Sequence, residues 1–179
     1  EKKQEAEVSC RKAIDLNPNL FNSHFLLGSI LIGQKKLKEA EQPLRKTIEL
    51  KPDFFQAHLN LGAVLKDLGQ LQEAEISTRK SIELNPNLFN SHFLLGSILI
   101  EQKKLQEAES CCRKAIELNP NLFNSHFLLG TILLEQKKLK EAELPLRKTI
   151  ELKPDFFQAH SALGGLLGEL GNLQEAEIS

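Results

Sequence analysis

From Phe21 onwards the chain alternates two apolar patterns. The stretch FNSHFLLGSILIGQ is apolar over most of its length. The stretch KEAEQPLRKTIEL follows after KKL, and with the flanking Leu37 it carries Ala40, Leu44 and Ile48 in an otherwise charged setting. Steps of three and four put side chains on one helical face, so each pattern predicts a helix. Asn or Lys followed by Pro then ends the second helix, because Pro cannot continue it and pushes its predecessor out of helical geometry. The Asn or Asp after the Pro suits the N-cap of the next helix.

This pair of patterns returns every 34 residues. Pro18, Pro52, Pro86, Pro120 and Pro154 hold the register without insertion or deletion. In the same frame stand Gly28, Gly62, Gly96, Gly130 and Gly164, then Leu31, Leu65, Leu99, Leu133 and Leu167, then Ala40, Ala74, Ala108, Ala142 and Ala176. The small residues mark places where helix backbones pack closely. Two short helices cannot bury their apolar surface alone, so each unit must stack on its neighbours. Residues 1–77 also match 103–179 at about four positions in five, a second-order period of three repeats.

Leu-Gly, a large residue three places later, a small Ala and a closing Pro resemble the tetratricopeptide repeat, and the resemblance covers the whole chain. It implies an all-α, right-handed solenoid of antiparallel helix pairs. Four full repeats are expected at 21–54, 55–88, 89–122 and 123–156. A second helix (1–20) precedes them, and a first helix with the start of another (157–179) follows.

Composition narrows the function. The 23 Lys and Arg against 24 Asp and Glu give no broad field for nucleic acid or anionic lipid. Apolar runs such as FLLGSILI are far too short to cross a bilayer. Trp, Tyr and Met are absent while Phe occurs ten times, as expected of one sentence copied repeatedly. With no initiator Met or signal peptide and both ends inside a repeat, the chain reads as a slice of something longer. Three cysteines without framework spacing and no Asn-x-Ser/Thr acceptor favour a reducing interior but leave the compartment open.

The chemical candidates are few. His24, His58, His92, His126 and His160 form a ladder, but equivalent residues of stacked helix pairs lie roughly 10 Å or more apart, too far to share one metal ion. They are expected to be structural, occupying the place where the family usually wedges a bulky aromatic between the two helices. Cys10 and Cys112 hold the same place three repeats apart, where other repeats have Leu44, Thr78 and Leu146, and so read as packing. Glu7 with Arg11, Glu41 with Arg45, Glu75 with Arg79, Glu109 with Arg113 and Glu143 with Arg147 have the favourable helical ion-pair order. Pro43 and Pro145 should bend their helices. No nucleotide loop, Cys-x-x-Cys pair or catalytic set stands out, so no enzyme activity, metal or cofactor is expected.

What remains is an apolar surplus on the first helices. Asn22, Phe25, Ser29 and Ile32 share one face, repeated as Asn90, Phe93, Ser97 and Ile100 and as Asn124, Phe127, Thr131 and Leu134. The intervening helix supplies Gln56, Leu59, Ala63 and Lys66; the last supplies Gln158, Ser161, Gly165 and Gly168. In the family this face lines the inner groove that holds peptide or protein ligands. The expected partner-binding residues are therefore Asn22, Phe25, Ile32, Leu59, Asn90, Phe93, Ile100, Asn124, Phe127 and Leu134. The expected function is a non-catalytic scaffold for a protein or peptide partner. The alternatives are a subunit whose copies assemble into a fibre or tube, and a substrate-presenting arm of a larger transferase. The last is weakened because Asn60 is answered by Leu26, Leu94, Leu128 and Ala162 rather than by an Asn ladder.

Overall fold

The computed structural model describes the backbone of residues 2–178 and the side chains of residues 2–171. Ten helices follow one another among the described residues, and no strand occurs. The second helices of the repeats are α1 (Lys2–Leu16), α3 (Leu37–Leu50), α5 (Leu71–Leu84), α7 (Leu105–Leu118) and α9 (Leu139–Leu152). The first helices are α2 (Phe21–Gly33), α4 (Phe55–Asp67), α6 (Phe89–Glu101), α8 (Phe123–Glu135) and α10 (Phe157–Ile178). Two compact units divide the chain, Glu1–Asn87 with α1 to α5 and Leu88–Ser179 with α6 to α10. Within each unit every helix packs on its sequence neighbours, and first helices also touch one another, α2 with α4, α6 with α8 and α8 with α10. The fold is an all-α solenoid of helix pairs.

The apolar frame forms the core. Leu31, Leu65, Leu99 and Leu133 are buried, as are Ala40, Ala74, Ala108 and Ala142. Each Leu so placed contributes about 1.5–3 kcal/mol of transfer free energy. Leu167 stands 42% exposed instead, and Ala176 lies outside the described side chains. The frame glycines mark the closest approach within each pair. A Cβ on Gly28 would lie 2.8 Å from Leu44 Cγ, one on Gly96 2.8 Å from Cys112 Sγ, and one on Gly130 2.7 Å from Leu146 Cδ2. At Gly62 it would press on the Thr78 hydroxyl. A Cβ on Gly164 would meet nothing within 4 Å.

The turn from first to second helix is a Schellman motif. Lys36 N–H donates to Leu31 O at 2.9 Å and Lys35 N–H to Ile32 O at 2.9 Å, and the same two bonds recur at Gly69/Gln70, Lys103/Lys104 and Lys137/Lys138. This motif needs one residue in the left-handed region. Gly69 (φ 78°) suits it, but Lys35 (φ 61°), Lys103 (φ 63°) and Lys137 (φ 62°) take the same conformation. A side chain costs roughly 1–2 kcal/mol there.

The turn from second to next first helix departs from expectation. The N-cap residues are Leu20, Phe54, Leu88 and Leu122, without side-chain capping bonds, not the Asn or Asp after the Pro. The Asn before the Pro does the work: Asn17 Oδ1 accepts from Asn19 N–H at 3.1 Å, and Asn119 Oδ1 from Asn121 N–H at 3.3 Å, forming Asx turns. An Asx turn tightens the linker itself and leaves the N-cap place to a large apolar residue.

Two further features concern helix continuity. α3 and α9 run unbroken through Pro43 and Pro145, whose carbonyls accept from Thr47 and Thr149 hydroxyls at 2.8 Å. At the C-terminal end, where a first helix and the start of another were expected, α10 is one continuous helix through Gly171, the counterpart of Gly69. With open space over Gly164, no folded-back helix supplies the packing that would favour a turn there.

Candidate partner-binding surface

In the first unit α2 and α4 bring together four of the residues singled out above. Asn22 is exposed, while Phe25, Ile32 and Leu59 are half-buried. Ser29 Oγ donates to Phe25 O at 2.9 Å and accepts from Asn60 Nδ2 at 3.4 Å, tying the two helices across this face. In the second unit α6 and α8 present exposed Asn90 and Asn124 with half-buried Phe93, Ile100, Phe127 and Leu134. Beside them α10 offers exposed Ser161, Gly165 and Gly168.

Part of the aromatic row is already engaged. The Phe54 ring, at the N-cap of α4, meets Phe25 edge-on at 4.9 Å and Phe21 at 5.5 Å. Lys51 Nζ lies 4.8 Å from the Phe21 centroid and 5.7 Å from that of Phe54. Phe156, Phe127, Phe123 and Lys153 repeat this cluster in the second unit, with Phe156 4.9 Å from Phe127. Sequence reasoning missed these clamps. Their signal is that Lys and Phe replace Asn and Leu together, KPDF for NPNL, at 51–54 and 153–156.

The other face, built by the second helices, is also grooved. A depression of about 560 Å³ between α3 and α5 has His58, Leu61 and Leu65 in its lining, with Arg45, Ile48 and Ile76 at its sides. Its counterpart between α7 and α9, about 580 Å³, has His126, Leu129, Leu133, Arg113, Ile116 and Leu144. Ile76 and Leu144 are 70% and 76% exposed, far more than the half-buried row on the first helices.

The histidines are structural in a specific way. Nε2 of His24, His58, His126 and His160 lies 2.8–2.9 Å from the carbonyl of Pro18, Pro52, Pro120 and Pro154 respectively. Since a carbonyl only accepts, Nε2 carries the proton. Each imidazole pins the linker before its own helix. Among the described residues no three His, Cys, Asp or Glu come close enough to hold a metal ion.

The five helical ion pairs form as expected, with N···O distances of 2.7–2.9 Å. The structure extends them between repeats: Arg11 reaches Glu39, Arg45 reaches Glu73 and Arg113 reaches Glu141, while Lys36 holds Glu7 and Lys138 holds Glu109. The hydrogen bond from Arg11 chiefly holds the Glu7 carboxyl below its usual range; for Glu109 the bond from Lys138 leads, followed by Arg113. Hydrogen bonding to Glu73 raises the Arg45 pKa. Cys10 and Cys112 are buried free thiols, and burial pushes both pKa values up.

Four tetratricopeptide repeat families match the chain, over residues 21–54, 55–88, 89–122 and 111–143. No curated protein matches it. Among solved structures it is similar to MamA from Desulfovibrio magneticus RS-1, at 22% identity and a TM-score of 0.80 over 86% of this chain and 87% of that one. It is similar to YrrB, described as a tetratricopeptide repeat protein with an unusual peptide-binding site, at 24% identity and a TM-score of 0.80 over 90% and 83%. Pseudomonas aeruginosa PilF shares 22% identity at a TM-score of 0.76 over 96% and 72%. Identities this low speak for the fold alone, whereas the repeat matches, which together run from 21 to 143, place the chain in the tetratricopeptide repeat family.

Proposed function

We propose that this chain is a non-catalytic scaffold that takes a peptide or protein segment on its first-helix face. The observation that carries this reading is the row of half-buried Phe25, Ile32 and Leu59 beside exposed Asn22, repeated by Phe93, Ile100, Phe127 and Leu134 beside Asn90 and Asn124. Half-covered apolar side chains give a partner area to bury, and the amides beside them can bond its backbone. The peptide-binding site described for YrrB supports the same use of the fold. The substrate-presenting alternative draws less support, because Asn60, the one Asn at its helix position, bonds to Ser29 within the scaffold.

Selection of random peptides on the immobilised chain, followed by titration of the enriched ones, tests this. Replacing Phe25, Phe93 and Phe127 together by Ser should weaken binding by about 30-fold or more, the loss of a hot-spot cluster. Reversing Arg45, Arg79 and Arg113 should change it little, since exposed and already paired charges contribute under about 1 kcal/mol. Binding that survives the Phe variant and fails in the Arg variant would move the site to the second-helix face.

A further inference from the structure

The first helices are set apart by what they lack. Residues 89–100 in α6, 123–134 in α8 and 157–168 in α10 contain no Asp, Glu, Lys or Arg. Of the acids that follow, Glu135 and Glu169 pair with Lys103 and Lys137 at the helix ends. The face that these three helices build in the unit Leu88–Ser179 therefore carries no acidic or basic side chain along those stretches.

That face is also periodic. Each helix offers one exposed carboxamide in its first turn, Asn90, Asn124 and Gln158, and half-buried Phe93 and Phe127 stand one turn further along α6 and α8. α8 touches both α6 and α10. Packed helices lie about 8–10 Å apart, so the pattern recurs at about that step.

We propose, resting on the reading that a segment binds the first-helix face, that this segment is uncharged where it meets the helices, takes a polyproline II conformation and sets an apolar side chain at every third residue. The step selects the conformation. Polyproline II turns once in three residues and rises about 3.1 Å per residue, so one side returns about every 9 Å. A β-strand repeats a side after about 6.6 Å, too short for one repeat and, doubled, too long. An α-helix returns after seven residues, at about 10.5 Å, but its backbone bonds itself and leaves the carboxamides nothing to hold. The polyproline II backbone has no internal hydrogen bonds, so Asn90, Asn124 and Gln158 can donate to its carbonyls and accept from its N–H groups. Aromatic rows suit such a segment because it is already extended and loses little freedom on docking. The neutral face decides the charge: a Lys or Glu pressed against it would be desolvated without a partner.

Fluorescence anisotropy of capped, dye-labelled peptides on the full chain tests this. The probe is Leu-Pro-Gln written three times over. The controls are the same residues with the leucines at alternate positions, an Ala-rich helical peptide with Leu at every seventh position, and the probe with each Leu changed to Lys or to Glu. We expect a Kd of about 10–500 μM for the probe and binding about tenfold or more weaker for every control. Phe93→Ser and Phe127→Ser should each weaken the probe about tenfold, and Asn124→Ala about threefold. Circular dichroism confirms that each variant is folded. A control that binds as tightly as the probe, with both losing affinity in the Phe variants, would overturn the period and conformation while leaving the first-helix site standing. Probe binding that the Phe variants leave unchanged would overturn the site as well. A probe still unbound at about 1 mM overturns the proposal, and selection of random peptides then decides the site independently.

Discussion

Arg45 reaches Glu73 of the next repeat at 2.6 Å, whereas the equivalent pairs Arg11–Glu39 and Arg113–Glu141 stand at 3.7 and 3.6 Å. The difference follows from one position. Lys36 and Lys138 cross from the next repeat to hold Glu7 and Glu109, and both Glu also bind their own Arg. Gln70 stands where that Lys would be for Glu41, and Arg45 links α3 to α5 through Glu73. The repeats therefore use two electrostatic ties at one kind of joint and one shorter tie at the other.

Acid should loosen the joints tied by Glu7 and Glu109. Both carboxyls are held below their usual pKa in the folded chain. The unfolded chain takes up these protons first, so the stabilisation is fully present above about pH 4.3 and is lost as pH falls through the lower folded values. Urea midpoints measured between about pH 5 and 2 should fall, and Glu109→Gln should flatten that fall relative to the parent chain.

Lys35→Gly should stabilise the chain by about 0.5–1 kcal/mol, because the left-handed penalty of a side chain exceeds the entropy that Gly loses on folding. Lys103→Gly and Lys137→Gly should gain less, since Lys103 pairs with Glu135 at 3.1 Å and Lys137 with Glu169 at 3.9 Å. Gly69→Ala should cost about 1 kcal/mol or more. Equilibrium urea unfolding reads all four.

The frame glycines divide by what lies above them. Gly28→Ala, Gly96→Ala and Gly130→Ala should each destabilise by about 1–3 kcal/mol through overpacking against Leu44, Cys112 and Leu146. Gly164→Ala should instead raise the melting temperature, gaining up to about 1 kcal/mol of helix propensity at no steric cost.

The two linker wordings should behave as sets. Lys51→Asn alone loses the cation over Phe21, and Phe54→Leu alone loses the edge contact with Phe25, each costing about 0.5–1.5 kcal/mol. The double variant rebuilds the Asn-and-Leu linker and should cost less than the two changes added together. A double-mutant cycle by thermal denaturation measures this coupling.

The helix pairs were legible in the sequence because a 34-residue period fixes register at every apolar position, and Ala40 or Leu31 needs only its spacing to be placed. The helical ion pairs were legible for the same reason. The Arg45–Glu73 tie was not, since it spans 28 residues and depends on how two helices lie side by side. The capping role given to Asn19 was misplaced because Asn17 and Asn19 are both good turn formers flanking one Pro, and only the backbone shows which carboxamide the amide reaches. On the candidate surface Phe25 was placed on the right helix, but its contact with Phe54 comes from the linker that closes the repeat, on the far side of α3 in the chain.

The bond between His24 Nε2 and Pro18 O closes over only six residues, as do its counterparts at His58, His126 and His160. The contact that pins the linker at such a joint is thus written within one short word of the chain. When a stretch of this length is duplicated, the copy arrives with its own hinge pin. Recombination between repeats can then lengthen or shorten the array in whole units without a period of repair. The near-identity of 1–77 and 103–179 is the trace such copying leaves.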